Sequence, residues 1–189
     1  GTTGESPTRT DAEKVALFRA VVEAVGSQAR VVAGTGTYDT AHSVEMTRRA
    51  EEAGCHGVLA VTPYYNRPSQ AGLVAHFEAI AEASSLPVML YNIPARTGRR
   101  IEVDTLARLA AHPRITAVKD AVGELAFTTE TVAAVGESLA VYSGDDVNTL
   151  PIMAVGGVGV VSVASHLAGR QVRQMLAAVL AGDLGEARR

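Results

Sequence analysis

The stretch from Ile115 to Gly123, I-T-A-V-K-D-A-V-G, contains a short β-branched and apolar run that ends at a lysine. The rest of the chain is interpreted from this stretch. Its first four residues are typical of a strand that is buried on both faces. Burial disfavours a charged ammonium group and lowers its pKa, and a partly neutral amine can condense with a carbonyl to form a Schiff base. Lys119 is therefore a candidate nucleophile, but a lysine that extends from a strand end into solvent fits the same stretch.

Five other short runs of this kind alternate with helical segments along the chain. This alternation indicates parallel β/α units, and both an open doubly wound sheet and a closed barrel fit it. The predicted strands are Arg30 to Gly34, Gly57 to Val61, Pro87 to Asn92, Ile115 to Lys119, Leu139 to Ser143 and Val158 to Val163. The predicted helices are Asp11 to Val25, Thr40 to Ala53, Gln70 to Ala83, Val103 to Ala111, Leu125 to Val135, Val147 to Val155 and Gly169 to Ala181.

Polar residues collect at the carboxyl ends of the predicted strands. Parallel β/α enzymes keep their active sites at this end of the sheet. Tyr91 holds the same position on its strand as Lys119 holds on the next one, which favours a catalytic role for the lysine. The strand-end residues are Thr62, Tyr91, Lys119, Ser143 and Ser162.

The composition predicts a single globular domain over residues 1–189, because 47% of the residues are hydrophobic and 20% are charged. A net charge of -3, with scattered lysines and arginines, argues against a nucleic-acid partner. No apolar run approaches the roughly 20 residues that span a bilayer, so we expect no membrane partner. Cys55 is the only cysteine, which is consistent with a reducing compartment, and we expect a cytoplasmic protein.

Other kinds of site find little support in the sequence. The five histidines show no metal-ligand spacing, so we expect no metal and no organic cofactor. The G-T-G after the first predicted strand lacks the third glycine of a dinucleotide fingerprint, and no G-x-S-x-G motif is present. The remaining lysine, tyrosines, threonines and arginine suit a substrate that carries a carbonyl and carboxylates.

Five motifs together resemble the 4-hydroxy-tetrahydrodipicolinate synthase family, also called dihydrodipicolinate synthases. They occur in the family's order: G-T-T-G-E-S at 1–6, T-P-Y-Y-N-R-P at 62–68, Y-N-I-P-A-R-T-G at 91–98, V-K-D-A-V-G at 118–123 and S-G-D-D at 143–146. The resemblance implies a (β/α)8 TIM barrel that condenses pyruvate with aspartate semialdehyde in lysine and diaminopimelate biosynthesis. The six β/α units would then be strands 3 to 8 of a partial barrel that lacks strands 1 and 2 and the C-terminal helical extension.

The resemblance also implies roles for individual residues. Lys119 would form the Schiff base with pyruvate, and Tyr91 would donate and accept protons beside it. Thr3 and Tyr65 would complete a hydroxyl relay with Tyr91. Tyr65 would do so in a neighbouring subunit, which implies a homodimer or homotetramer.

Four further residues are implied as substrate-binding positions. Thr2, together with Thr3, would hold the pyruvate carboxylate, and Arg96 would bind the carboxylate of aspartate semialdehyde through its guanidinium fork. Gly144 and Val161 would line the site with their backbones. Asp120 stands where many members of the family have glutamate.

Other functions remain open at this stage. Another pyruvate-dependent aldolase, such as N-acetylneuraminate lyase or a keto-deoxy-sugar aldolase, would share the lysine and the tyrosine. The Tyr64–Tyr65 pair and the R-T-G that follows Tyr91 favour the synthase. An inactive fragment that serves only binding or assembly is the alternative from a different class.

Overall fold

Six parallel strands form one sheet in the computed structural model, which describes residues 1–189. Each strand pairs with the next strand in the chain. The strands are β1 (Val32–Gly34), β2 (Gly57–Val61), β3 (Val88–Asn92), β4 (Ile115–Asp120), β5 (Ala140–Ser143) and β6 (Gly159–Val160).

Nine α-helices connect and flank the strands, and none is both long enough and apolar enough to cross a membrane. Short 3-10 turns cover Thr2–Gly4, Ser6–Thr8, Gly136–Ser138 and Asp146–Asn148. The helices are α1 (Asp11–Val25), α2 (Thr40–Glu52), α3 (Gln70–Glu82), α4 (Pro94–Thr97), α5 (Val103–Leu109), α6 (Leu125–Val135), α7 (Thr149–Ala154), α8 (Ser165–Leu180) and α9 (Leu184–Ala187).

The strand order decides between the two architectures that the periodicity left open, and it agrees with the partial barrel that the motifs implied. A doubly wound sheet reverses its order at a switch point, whereas a β/α barrel adds its strands in sequence. Here the order is β1-β2-β3-β4-β5-β6 without a reversal. The fold is therefore α/β, with a curled six-stranded sheet that forms part of a barrel wall.

Most predicted elements are confirmed, and the largest differences lie near the C-terminus. The strand predicted from Val158 to Val163 is reduced to Gly159–Val160, because β6 pairs with β5 alone and has no second neighbour. The helix predicted from Gly169 begins at Ser165 and contains a non-helical Ala168. The pattern of apolar residues in the sequence predicts neither the short strand nor the early, interrupted helix.

The core lies between the sheet and the helices. Leu73, Phe77 and Ile80 face it from α3 with no solvent exposure, at the spacing of one helical face. They belong to a cluster of 25 buried hydrophobic residues that also includes Val58 and Val88 on the central strands. The core thus fixes the central strands, whose carboxyl ends carry the predicted site.

One ionisable side chain is part of this packing. His76 on α3 is only 4% exposed, and its Nδ1 lies 2.8 Å from Thr40 Oγ1 on α2. Its Nε2 has no hydrogen-bond partner in the chain. Burial lowers the pKa of His76 to about 4, and the nearby Asp39 charge opposes this shift only in part. The folded chain therefore holds a neutral imidazole.

We predict that this histidine makes the fold sensitive to acid. The folded-state pKa of about 4 lies below the ordinary value of 6.5, so the unfolded chain takes up a proton first as the pH falls. The stabilising contribution is complete above pH 6.5 and is lost toward pH 4. Urea unfolding should show a loss of roughly 1 to 2 kcal/mol between about pH 7 and pH 5 that His76→Gln reduces.

His166→Gln, on the exposed part of α8, is the matched control and should leave the acid sensitivity unchanged. An equal loss of stability in the His76→Gln variant and the unaltered chain would contradict this prediction.

Candidate active site

Lys119 lies on β4, next to Tyr91 on β3, and both side chains are buried. Lys119 is 8% exposed and Tyr91 is 7% exposed. The two residues are partners in the parallel register, so their side chains leave the same face of the sheet. The Lys119 Nζ lies 4.1 Å from the centroid of the Tyr91 ring. The structure thus brings together the amine and the phenol that the sequence singled out.

The surroundings of Lys119 favour the neutral amine. Burial is the largest cause and lowers the pKa of Lys119. The carboxylate of Asp146 acts in the opposite direction, and the guanidinium of Arg96 lowers the pKa further. Since the net shift is downward, a larger fraction of this amine is unprotonated near neutral pH than in a solvent-exposed lysine.

Tyr91 remains a protonated phenol in the same environment. Burial raises its pKa, and the positive charge of Arg96 offsets this effect only in part. A phenol that keeps its proton can act as a general acid toward a group bound next to Lys119.

Asp146 is held by the segment that follows β6. Its carboxylate accepts hydrogen bonds from the hydroxyl of Ser162 and from the backbone N–H groups of Val163 (3.1 Å) and Ala164 (3.0 Å). Burial acts to raise the pKa of Asp146, but these hydrogen bonds and the charge of Lys119 lower it overall. The ionised carboxylate is therefore a fixed counter-charge for the lysine.

Of the two predicted backbone positions, Gly144 lies beside the lysine side chain. The Gly144 N–H donates to the Asp120 carbonyl at 2.7 Å, and a Cβ at Gly144 would lie 3.0 Å from Lys119 Cε. Such a Cβ would also lie 2.8 Å from Ala121 Cβ, so a larger residue at this position would crowd both neighbouring side chains. The Val161 N–H donates to the Ser143 carbonyl at 2.8 Å, which continues the sheet contact beyond β6.

The N-terminal threonines lie on the 3-10 turn Thr2–Gly4 and are exposed. Thr2 lines a small cleft together with Tyr64 and Tyr91. Thr3 forms no side-chain hydrogen bond within the chain, and none links it to Tyr91. Of the two threonines, only Thr2 lines the cleft with Tyr91, and the structure does not link Thr3, the predicted partner in the hydroxyl relay, to Tyr91.

Tyr65 and Arg96 line an open cleft on the loops that follow β2 and β3. Tyr65 is 94% exposed and has a φ of 73°, a left-handed conformation that directs its ring away from this chain's core. Arg96 lies on α4, is exposed and has no carboxylate partner. The cleft therefore offers an aromatic ring and an unpaired guanidinium.

Asp146 is the residue that the sequence reasoning missed. The signal was present in the S-G-D-D motif, where only Gly144 was given a role. A carboxylate after β5 gave no hint that it would accept hydrogen bonds from the segment after β6.

His, Cys, Asp and Glu side chains form no group of three that could hold a metal ion.

Comparison with known proteins identifies relatives along the whole chain. The model of the dihydrodipicolinate synthetase family matches residues 1–189. The 4-hydroxy-tetrahydrodipicolinate synthase of Acidothermus cellulolyticus is 58% identical over 184 residues, which cover 97% of this chain and 59% of that protein. The enzyme of the same name from Mycolicibacterium gilvum is 56% identical over 189 residues, which cover 100% of this chain and 62% of that protein.

Solved structures give the same result. Dihydrodipicolinate synthase DapA-2 from Bacillus anthracis has a TM-score of 0.96 and 51% identity, over 100% of this chain and 64% of that one. The Acinetobacter baumannii enzyme, described as chloride inhibited and complexed with pyruvate, has a TM-score of 0.96 and 38% identity over 100% and 65% of the two chains. This chain spans about three fifths of the length of its relatives and belongs to the dihydrodipicolinate synthetase family.

Proposed function

We propose that this chain carries the active site of a Schiff-base lyase that condenses pyruvate with aspartate semialdehyde to 4-hydroxy-tetrahydrodipicolinate. The observation that carries the proposal is the buried Lys119 amine, 4.1 Å from the centroid of the Tyr91 ring. The names of the relatives and the pyruvate complex of one of them support the choice of substrates. The reaction belongs to lysine and diaminopimelate biosynthesis in the cytoplasm.

The proposal extends to the architecture and assembly of the complete enzyme. Residues 1–189 form one partial TIM-barrel domain, and β1 to β6 are strands 3 to 8 of an eight-stranded barrel. The sequential strand order and the coverage of the relatives support this assignment. Tyr65, which is 94% exposed, serves the site of a neighbouring subunit in a homodimer or homotetramer.

The first step joins Lys119 to pyruvate. The neutral amine attacks the keto carbon, and the carbonyl oxygen takes up a proton to become the hydroxyl of a carbinolamine. Tyr91 then donates the proton with which this hydroxyl leaves as water, giving the iminium. Thr2 and Thr3, on the turn that precedes α1, hold the pyruvate carboxylate.

The second step uses the iminium as an electron sink. The Tyr91 phenolate left by the first step takes a proton from the methyl group of the bound pyruvate, which forms an enamine. The enamine carbon then attacks the aldehyde carbon of the second substrate, and the aldehyde oxygen takes up the proton from Tyr91 to become a hydroxyl. Arg96 binds the carboxylate of that substrate with its guanidinium fork. The amino group of the semialdehyde then displaces the Lys119 nitrogen from the imine carbon, closes the ring and regenerates the free lysine. No metal or organic cofactor takes part in these steps.

We expect borohydride to attach pyruvate to Lys119. The chain contains only two lysines, Lys14 and Lys119, which makes the test simple to interpret. Reduction in the presence of pyruvate, followed by mass mapping of the full chain, should label the peptide that carries Lys119. Lys119→Ala should abolish the label.

Lys14 is the internal control, because its Nζ lies 3.6 Å from Asp11 Oδ1 and remains paired. Lys14→Ala should leave the labelling unchanged. A label on the Lys14 peptide, or none on Lys119, would refute the proposed function.

The charge of Asp146 should set the pH at which the imine forms. Asp146 raises the pKa of Lys119, so Asp146→Asn should lower that pKa further and increase the neutral fraction of the amine. The rate of imine formation rises with pH through the pKa of the lysine, and this rising limb should move to lower pH. Timed borohydride trapping across a pH series measures the shift.

Asp145→Asn removes the same charge from the neighbouring residue, whose carboxylate accepts a hydrogen bond from Asn148, and should leave the limb in place. If the rising limb of the pH–rate profile is unchanged in Asp146→Asn, or moves to higher pH, the assigned role of the Asp146 carboxylate is wrong.

Arg96 should discriminate between the two substrates. Arg96→Ala removes a charge-assisted, bidentate contact, so KM for aspartate semialdehyde should rise roughly tenfold or more. KM for pyruvate should change much less. Steady-state kinetics with each substrate varied in turn measures both constants, and Arg108→Ala on the exposed part of α5 is the control. An equal rise in both KM values would contradict the role of Arg96.

A further inference from the structure

An extended segment, Arg100 to Glu102, joins α4 to α5 and is hydrogen-bonded on both of its edges by side-chain carboxamides. On one edge lies Asn92, which has no solvent exposure. Its Oδ1 accepts a hydrogen bond from the Ile101 N–H at 3.0 Å, and its Nδ2 donates to the Ile101 carbonyl at 3.0 Å. The carboxamide therefore makes the two backbone hydrogen bonds with Ile101 that a neighbouring strand would otherwise make.

Gln70 occupies the opposite edge. Its Nε2 donates to the Arg100 carbonyl at 2.8 Å, and its Oε1 accepts from the Glu102 N–H at 3.1 Å and from the Thr105 hydroxyl at 2.7 Å. The two carboxamides together pair four backbone groups in three consecutive residues. We call Asn92, Gln70 and the segment 100–102 the carboxamide clamp.

The clamp connects three parts of the candidate site. Asn92 directly follows Tyr91 on β3, and Gln70 is the first residue of α3, after the loop that carries Tyr65. The clamped segment closes the loop that begins after β3 and carries Arg96. The start and the end of the Arg96 loop are thereby fixed to each other and to the Tyr65 loop.

Further hydrogen bonds within the loop extend the same arrangement. The Thr97 hydroxyl lies 3.0 Å from the Ile93 carbonyl and 2.8 Å from the Arg99 carbonyl. The Arg99 guanidinium donates to the Arg67 carbonyl at 3.1 Å. Hydrogen bonds thus hold the backbone of the loop that carries the exposed Arg96 side chain, both at the two ends of the loop and within it.

From these contacts we propose that Asn92 and Gln70 are positioning residues that set the place of the Arg96 guanidinium relative to Tyr91 and thereby the affinity for a carboxylate-bearing aldehyde. The inference rests on the proposed function for the identity of that aldehyde. Neither residue takes part in imine formation.

The chemistry of the amide explains why these two residue types serve here. Each carboxamide presents one acceptor and one donor side by side, as a peptide group does, and so it matches an N–H and a C=O of an extended segment. A carboxylate of the same shape places an oxygen against the carbonyl oxygen of the segment. One hydrogen bond is then lost, and that carbonyl is left without its partner.

The test uses Gln70→Glu in the full chain, with Gln28→Glu as the control for the change in charge. Gln70 is only half-buried, so its variant is the one more easily accommodated, and Asn92→Asp serves as a second variant. Gln28 is exposed and forms no side-chain hydrogen bond. We expect Gln70→Glu to raise KM for aspartate semialdehyde roughly fivefold to tenfold, as the loss of one hydrogen bond predicts. KM for pyruvate and borohydride labelling of Lys119 should stay unchanged, and Gln28→Glu should change none of these quantities.

The double variant Gln70→Glu with Arg96→Ala distinguishes positioning from general damage. If the clamp acts through Arg96, the effect of Gln70→Glu on KM for the semialdehyde should vanish in the Arg96→Ala background. Additive effects, or an equal rise in KM for both substrates, would overturn the inference.

Amide hydrogen exchange gives a readout that does not depend on activity. The peptide that spans residues 93–102 should exchange at least about tenfold faster in Gln70→Glu, while the β4 peptide keeps its protection. Unchanged exchange in the 93–102 peptide would overturn the clamp even in an active enzyme. Failure of pyruvate to label Lys119 in the unaltered chain would instead refute the proposed function, and the exchange result would still decide whether the carboxamides hold the loop.

Discussion

The candidate site depends on the burial of one amine, that of Lys119 on β4. A buried lysine loses the solvation of its charged form, and the compensation here is partial: the Tyr91 ring and the Asp146 carboxylate favour the cation, while Arg96 disfavours it. The pKa of Lys119 is lowered as a result. A stronger counter-charge would stabilise the fold more but would keep the amine protonated, whereas the present arrangement leaves a larger fraction of the amine neutral.

Parallel pairing places the other side chains of the candidate site next to Lys119, because consecutive strands end at the same edge of the sheet. That geometry is encoded in short apolar runs, which is why β2 and α6 were predicted with the bounds that the structure has. The choice between an open sheet and a barrel was not encoded in the same way. Periodicity is a local property, whereas strand order depends on how the β/α units pack. The barrel was therefore expected only from the resemblance of the motifs, and the sequential strand order of the structure agrees with it.

The hydrogen bonds that organise the loops were beyond the reach of the sequence. Asn92, Gln70 and Asp146 bond mainly to backbone groups of distant segments, and any residue can present an N–H or a C=O. Motifs reveal residue types that chemistry requires, such as a lysine beside a tyrosine, but backbone partners leave no trace in residue identity. Tyr65 is a different case. Its motif is recognisable, yet its side chain is 94% exposed, so no packing within this chain fixes the position of its ring.

The opposing charges around Lys119 also bear on the order of events in the proposed reaction. While the Arg96 guanidinium is unpaired, it lowers the pKa of Lys119 and increases the neutral fraction of the amine. A substrate carboxylate that pairs with Arg96 cancels this positive charge and makes the free amine easier to protonate. Imine formation is therefore favoured before the second carboxylate arrives. Once the nitrogen has become an iminium its positive charge is covalently fixed, and neutralisation of Arg96 then stabilises the site instead of inactivating the nucleophile.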